Sequence, residues 1–213
     1  MKIENITTSV TGYPYSNLKE TIPDGVDKEE IAAVYEEIIN EYLQKGKAQE
    51  IPSLINVSGI PGSGKSTFCK KLLDMAVNSC AIYIGFDSIM ENKRLPYIKE
   101  EINHPEEAFQ RWELSARIAG YELLRRAIGN KFLIIFDHSS ALSQHVDLFN
   151  LFLSEGYEVH FNFVFISEEE AKKRVQNRKR HVPQYYIEER NQNIQKLLPE
   201  YKQICTTFKQ IEQ

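Results

Sequence analysis

The run Gly59-Ile60-Pro61-Gly62-Ser63-Gly64-Lys65-Ser66 constrains this chain more than any other feature. It matches G-x-x-x-x-G-K-[ST], in which the glycines let consecutive backbone N–H groups turn inward around phosphate oxygens. The pattern has mechanical meaning only where a strand delivers the chain to the loop and a helix leaves it, because the positive end of that helix shares the anion. Here the apolar run Ser53-Leu54-Ile55-Asn56-Val57-Ser58 precedes the loop, and a helix-compatible segment follows it to about residue 77. A chance glycine loop does not explain that context. Lys65 is then placed to reach the β- and γ-phosphates and Ser66 to offer its hydroxyl to magnesium, so ATP and Mg2+ are the expected ligands. Gly59, Pro61, Gly62, Ser63, Gly64 and Thr67 complete the expected cradle.

From residue 53 onward strand and helix patterns alternate. Strands are expected over 53–58, 81–86 and 132–136, within 157–166, and over 208–211. Helical stretches are expected after the loop, across 88–129, over 142–153, from about 167, and over 185–198. The run Phe132-Leu133-Ile134-Ile135-Phe136 is apolar on both faces, as a buried parallel strand should be. This order predicts an α/β fold of the P-loop NTPase kind: a three-layer sandwich with a mostly parallel sheet of about five strands and helices on both faces. Ahead of it, residues 1–26 read as an irregular arm with turn signals at Tyr13-Pro14-Tyr15 and Pro23-Asp24-Gly25. Asp27 with Glu30 three later resembles a capping box. Ile31, Val34, Tyr35, Ile38, Ile39, Tyr42 and Leu43 then keep helical spacing up to Gly46. This amphipathic helix packs on the main domain or, alternatively, binds a partner.

Absences narrow the chemistry. No D-x-x-G or N-K-x-D follows the loop, since Asn92-Lys93 runs into Arg94-Leu95, so a guanine-specific GTPase is not indicated. The third strand ends in Asp137-His138 rather than Asp-Glu. A water-activating ATPase usually places a carboxylate beside the metal acid, so the histidine favours transfer to a bound hydroxyl. The formal net charge of -4 counts against a protein that wraps duplex nucleic acid. Cys69, Cys80 and Cys205 form no C-x-x-C pair, so reduced thiols are expected and neither zinc nor a disulfide framework. The sequence carries no leader-like or membrane-spanning apolar run, which points to a cytoplasmic protein.

The candidate site residues follow from position. Asp87, directly after the second strand, faces the crevice where ligands bind in such sheets, and can accept the proton of an acceptor hydroxyl; its plainer role is a helix cap. Asp137, ending the third strand, is the candidate magnesium acid, with capping again the alternative. The basic run from Lys172-Lys173-Arg174 to Arg178-Lys179-Arg180-His181 sits where a lid should fall. Arg174, Arg178 and Arg180 are therefore candidates to neutralise the γ-phosphate, against the plain reading of a solvated basic face. Arg117 is the candidate contact for an anion on the acceptor, and Trp112 beside it reads as core. His104, His145 and His160 make no metal set and read as structural. The resulting organisation is an arm and amphipathic helix over 1–50 packed on a P-loop kinase domain over 51–213, with a lid near 172–184.

At these residues the chain resembles the zeta-toxin family of P-loop kinases, over roughly 30–200. The likeness includes the helix before the first strand, Ser58-Gly59-Ile60-Pro61-Gly62-Ser63-Gly64-Lys65-Ser66-Thr67, Asp87, the run Glu155-Gly156-Tyr157-Glu158-Val159, the arginine helix and Val182-Pro183. The resemblance implies ATP-dependent phosphorylation of the 3'-hydroxyl of the sugar in UDP-N-acetylglucosamine. Asp87 would be the general base, Lys65 and Ser66 would be the phosphate and magnesium anchors, and an antitoxin protein would be a partner. After the third strand the family pattern is close to Glu-Gly-Thr-x-Arg. Here Asp137-His138-Ser139-Ser140-Ala141 keeps the acid and one hydroxyl and lacks the arginine, leaving His138 and Ser139 to face the acceptor. Two other readings use the same scaffold: a kinase of nucleic-acid ends or tRNA, and a binding module whose catalysis has decayed. Intact Lys65, Ser66 and Asp87 argue against decay.

Overall fold

The computed structural model describes residues 1–75, 80–176 and 184–212. The strands β1 (Ser53–Ser58), β2 (Ile82–Gly85), β3 (Ile134–Asp137), β4 (Glu158–Phe165) and β5 (Thr207–Glu212) form one five-stranded sheet in the order β2-β3-β1-β4-β5. Every strand pair is parallel. Parallel neighbours cannot be joined by tight turns, so helices carry the chain across. Those after β1 are α4 (Lys65–Leu73), α5 (Phe86–Met90), α6 (Tyr97–Asn103), α7 (Pro105–Gly129), α8 (Gln144–Ser154), α9 (Glu168–Gln176) and α10 (Gln184–Ile204).

Alternation along the strands sends side chains to two layers. Leu54, Ile134, Phe136, Val159 and Phe161 join the main core with α7, α8 and α10, in which Trp112, Tyr121, Phe149 and Tyr201 are fully buried. Val57, Ile135 and Val164 face the other way and pack with Cys69, Phe68 and Leu72 of α4. The basic stretch beyond Gln176, with Arg178, Arg180 and the Val182-Pro183 pair, lies outside the described residues.

Residues 1–26 are not the irregular arm that their turn signals suggest. They contain α1 (Ile6–Thr11) and α2 (Leu18–Thr21), which put Ile6, Val10, Leu18 and Ile22 into the main core. Helices this short have no detectable period of their own and persist because tertiary burial holds them. Next, α3 (Lys28–Leu43) starts as expected: one Asp27 carboxylate oxygen accepts the backbone N–H groups of Glu29 and Glu30 at 3.0 and 3.1 Å. A polar staple ties the arm and α3 to α7. The Tyr15 hydroxyl donates to Glu36 (2.8 Å), and Arg126 donates to the same carboxylate at 2.6 and 2.9 Å. Arg125 and Arg126 also converge on the buried Glu122. At the other end α10 runs beyond the expected 198, through Pro199, to Ile204. That extension brings Tyr201 inward, where its hydroxyl donates to the carbonyl of Ser140 (2.7 Å). Among the described residues no helix is long and apolar enough to cross a membrane.

Candidate active site

The phosphate loop joins the end of β1 to the start of α4. Gly59, Gly62 and Gly64 have φ of 153°, 88° and 92°, in the region that side chains rarely adopt. A Cβ on Gly59 would meet Ser63 Oγ and the Val164 carbonyl, both at 2.6 Å, and one on Gly62 would meet the Ala171 carbonyl at 2.7 Å. The loop is thus pressed against β4 and α9, which close its back. Ser63 is buried, and its hydroxyl finds no partner within the protein. Lys65 Nζ lies 3.1 Å from the Ile60 carbonyl, folded over its own loop. Thr67 is exposed on the first turn of α4 and is not part of the cleft wall.

Parallel pairing brings the distant acid to this loop. Val57 stands beside Asp137 in the β1–β3 register, and Ser66 Oγ donates to Asp137 Oδ2 at 2.7 Å. The same oxygen accepts the hydroxyl of Tyr83 from β2, at 2.9 Å. A hydroxyl and a carboxylate are the hard oxygen donors magnesium prefers, and an ion shared with phosphates needs only one or two of them. No group of three or more His, Cys, Asp or Glu able to hold a metal occurs among the described residues. Ser66 and Asp137 therefore fit Mg2+, and the loop with its orphaned Ser63 hydroxyl fits a nucleotide phosphate.

Asp87 follows β2 in the first turn of α5, exposed to the same cleft as Lys65. It is not the N-cap, a position Gly85 occupies. The cleft measures about 850 Å³ and is lined by Pro61, Lys65 and Ser66, by Asp87, Asp137, His138 and Ser139, and by Glu113, Arg117 and Arg190.

The turn after β3 is rigidly held. The Ser58 hydroxyl donates to the Ser139 carbonyl (2.7 Å), and Asn56 exchanges hydrogen bonds with Ser140, itself in left-handed conformation at φ 56°. His138 Nδ1 accepts the Ser140 N–H at 2.9 Å, while its ring stacks on Phe136 at 5.0 Å. His145 Nδ1 accepts the Leu142 N–H (3.1 Å), and its Nε2 lies 2.9 Å from the Tyr121 hydroxyl. Burial foremost pushes both histidines down: His145 falls to about 3 with the charges of Arg117 and Arg190 adding to it, and His138 falls well below the usual range with His145 and then Arg117 and Arg190 adding to it.

The cleft thus gathers Lys65, Ser66, Asp87, Arg117, Asp137, His138 and Ser139, the residues expected to do chemistry or hold the acceptor. It does not gather Arg174, whose Nε donates to Glu170 one turn away at 3.0 Å. Three contributors carried no sequence signal. Tyr83 reads as one more strand aromatic, and Tyr186 and Arg190 line the cleft from α10, a helix distant in sequence from the phosphate loop.

The family model described as Zeta toxin matches residues 39–212. No curated protein matches the chain by sequence. Among solved structures, the PezAT chromosomal toxin-antitoxin system of Streptococcus pneumoniae superposes with a TM-score of 0.66 at 14% identity, over 100% of this chain and 81% of that one. The AvrRxo1-ORF1:-ORF2 complex gives 0.67 at 11% identity, over 92% and 68%. A protein provisionally named a kinase from Chloroflexus aurantiacus gives 0.52 at 15% identity, over 76% and 89%. At these identities the structural likeness concerns the fold.

Proposed function

The chain belongs to the zeta-toxin family of P-loop phosphotransferases, and from that premise we propose that it moves the γ-phosphate of ATP onto a hydroxyl of a small molecule. A nucleotide sugar such as UDP-N-acetylglucosamine is the first acceptor to try. The observation that carries the reading is one cleft holding Lys65, the Ser66–Asp137 pair and Asp87 along a single sheet edge. Ligands in open α/β sheets lie outside the carboxyl ends of the strands, where these residues stand.

Each residue has a task in that reading. The loop N–H groups and Lys65 bind and orient the phosphates. Ser66 and Asp137 would hold Mg2+, which when bound offsets charge on the phosphate oxygens. Asp87 orients the acceptor hydroxyl and takes its proton as the phosphoryl group arrives. Arg174, Arg178 and Arg180 are proposed to close over the γ-phosphate as a lid. A protein partner of the antitoxin kind also belongs to the proposal, because PezAT is a toxin-antitoxin system. The carboxylates Asp87, Glu91, Glu101 and Glu113 on the cleft wall favour a compact polyhydroxyl acceptor over a nucleic-acid backbone. A screen of nucleotide sugars with γ-labelled ATP tests the reading. Label should move to an acceptor with the wild type and not with Lys65→Ala; full transfer by Lys65→Ala would overturn it.

A further inference from the structure

The hydrogen bonds around His138 do not close within the protein. Its Nδ1 accepts the Ser140 N–H at 2.9 Å. A ring nitrogen that accepts an N–H carries no proton, so the proton of the neutral ring sits on Nε2. His145 is held in the same tautomer, because its Nδ1 accepts the Leu142 N–H at 3.1 Å. Both Nε2–H groups need an acceptor, and both lie near one oxygen, the Tyr121 hydroxyl, His145 at 2.9 Å and His138 at 3.5 Å. Arg117 also hydrogen-bonds to that hydroxyl. A hydroxyl oxygen has two lone pairs, which His145 and Arg117 fill. At 3.5 Å, the outer limit of a hydrogen bond, His138 is left with a donor and no good acceptor.

Packing decides where that donor can be used. The His138 ring stacks on Phe136, with centroids 5.0 Å and planes 6° apart, and meets Phe86 and His145 edge-on at 5.2 and 4.3 Å. Three aromatic neighbours and the Nδ1 bond fix the ring. The Ser140 N–H that selects its tautomer belongs to a turn pinned by Asn56 and Tyr201. Of the cluster His138, Tyr121 and His145, His138 is the member that lines the cleft, and its remaining polar atom is Nε2. Donors in native proteins are nearly always paired, so a stranded N–H on a cleft wall marks a partner supplied by the ligand.

We infer that His138 is a specificity-determining contact for the acceptor, its Nε2–H donating to an uncharged oxygen, a hydroxyl or an amide carbonyl, of the molecule that carries the reacting hydroxyl. The inference rests on the kinase reading and adds how the acceptor is told from close analogues. A neutral imidazole supplies one directional N–H and no net charge, which suits an uncharged oxygen. A site built around such a donor rejects a molecule that lacks the matching oxygen, because the donor is then stranded.

Asparagine and glutamine separate the two ring nitrogens. The Asn amide oxygen stands near the Nδ1 position, so it keeps the Ser140 N–H and loses the outer donor. The Gln amide nitrogen stands near the Nε2 position, so it keeps the donor and gives up the Ser140 contact. Both lose the ring stack, and the two variants are therefore compared with each other. With β,γ-imido-ATP and Mg2+ in the phosphate loop, calorimetric titration with UDP-N-acetylglucosamine should give His138→Asn an affinity about tenfold below that of His138→Gln. Stability should follow the opposite order, with His138→Gln melting about 2–4 °C below His138→Asn. Affinity for imido-ATP should be alike in both. A merely structural histidine would move acceptor affinity and melting temperature together. The wild type gives a reading that needs no substitution: long-range 1H–15N spectra of protein labelled with 15N-histidine should show His138 as the Nε2–H tautomer, with that resonance shifting when the nucleotide sugar is added. An Nδ1–H tautomer, an Nε2–H resonance unmoved by saturating nucleotide sugar, equal acceptor affinity in the two variants, or a parallel fall in imido-ATP affinity would overturn the inference. None of these readings needs phosphoryl transfer. Sugar binding through His138 without transfer to any acceptor would sink the kinase reading and leave the contact standing.

Discussion

At the scale of single residues, the site divides into groups that a linear pattern can locate and groups that only register and helix approach can. Lys65, Ser66, Asp87 and Asp137 belong to the first kind, because a loop motif or a strand end fixes each of them. Asp87→Asn keeps the shape and removes the charge, so single-turnover transfer should slow by about a hundredfold or more while ATP binding stays near normal. A near-normal rate would take Asp87 out of the chemistry. Tyr83 belongs to the second kind: its hydroxyl reaches Asp137 only because β2 pairs with β3 in one register, setting Gly85 beside Asp137. Partners that orient a metal-holding carboxylate typically matter about 10–100-fold, so Tyr83→Phe should raise the magnesium concentration needed for half-maximal transfer about tenfold. An unchanged magnesium titration would show that Ser66 alone orients Asp137. Buried neutral histidines also give the fold a pH signature. The unfolded chain takes up their protons near pH 6.5, and the folded chain resists down to about pH 3 at His145. Their contribution is therefore complete above about pH 6.5 and is lost as the pH falls through that window, by up to about 1.4 kcal/mol per pH unit for each. Urea midpoints at pH 7 and pH 5 should differ less in His145→Gln than in the wild type, and an equal difference would show that His145 does not titrate in this way.

At the scale of elements, periodicity serves well where segments are long and poorly where they are short. The strand at 53–58 and the cap at Asp27 fall where the sequence puts them, since alternation and capping chemistry are local. By contrast α1 and α2 are invisible to any window, being shorter than the pattern that would reveal them. Asp27→Ala leaves the Glu29 and Glu30 N–H groups without their side-chain acceptor and should cost about 1 kcal/mol. For a domain of this size that is a drop of about 2–4 °C in melting temperature, read by calorimetry. A melt unchanged to within a degree would mean that water caps α3 as well as Asp27 does. The basic run after β4 is the element where position and present contacts differ. Arg174 is engaged with Glu170 in a pair whose side chains are 38% and 45% exposed. Such a surface pair is worth little, so the arginine is readily released toward a phosphate. Replacing Arg174, Arg178 and Arg180 together with alanine should cut turnover by about a hundredfold or more with the melting temperature retained. Unchanged turnover would leave the run as a solvated face.

At the scale of the whole molecule, the N-terminal 26 residues are part of the core. They supply Ile6, Val10, Leu18 and Ile22 to the cluster that includes Trp112 and Tyr121. Deleting residues 1–25 uncovers that surface and should cost several kcal/mol by the usual area scaling, visible as a lower urea midpoint and binding of a hydrophobic dye. A deletion variant as stable as the full chain would show that the arm merely rests on the domain. The sheet order, finally, has a consequence in time. β1 carries the phosphate loop, yet its two neighbours are β3 and β4, so Leu54 waits for Ile134 and Ser53 waits for Glu158. Contacts between such distant segments close slowly, because the intervening chain must give up its freedom before they form. On the ribosome a nascent chain that has exposed residues 53–66 holds every letter of the phosphate cradle and no wall for it to lean on. The cradle gains its back wall only after β4 has been made, so the motif and the pocket it builds are separated in time.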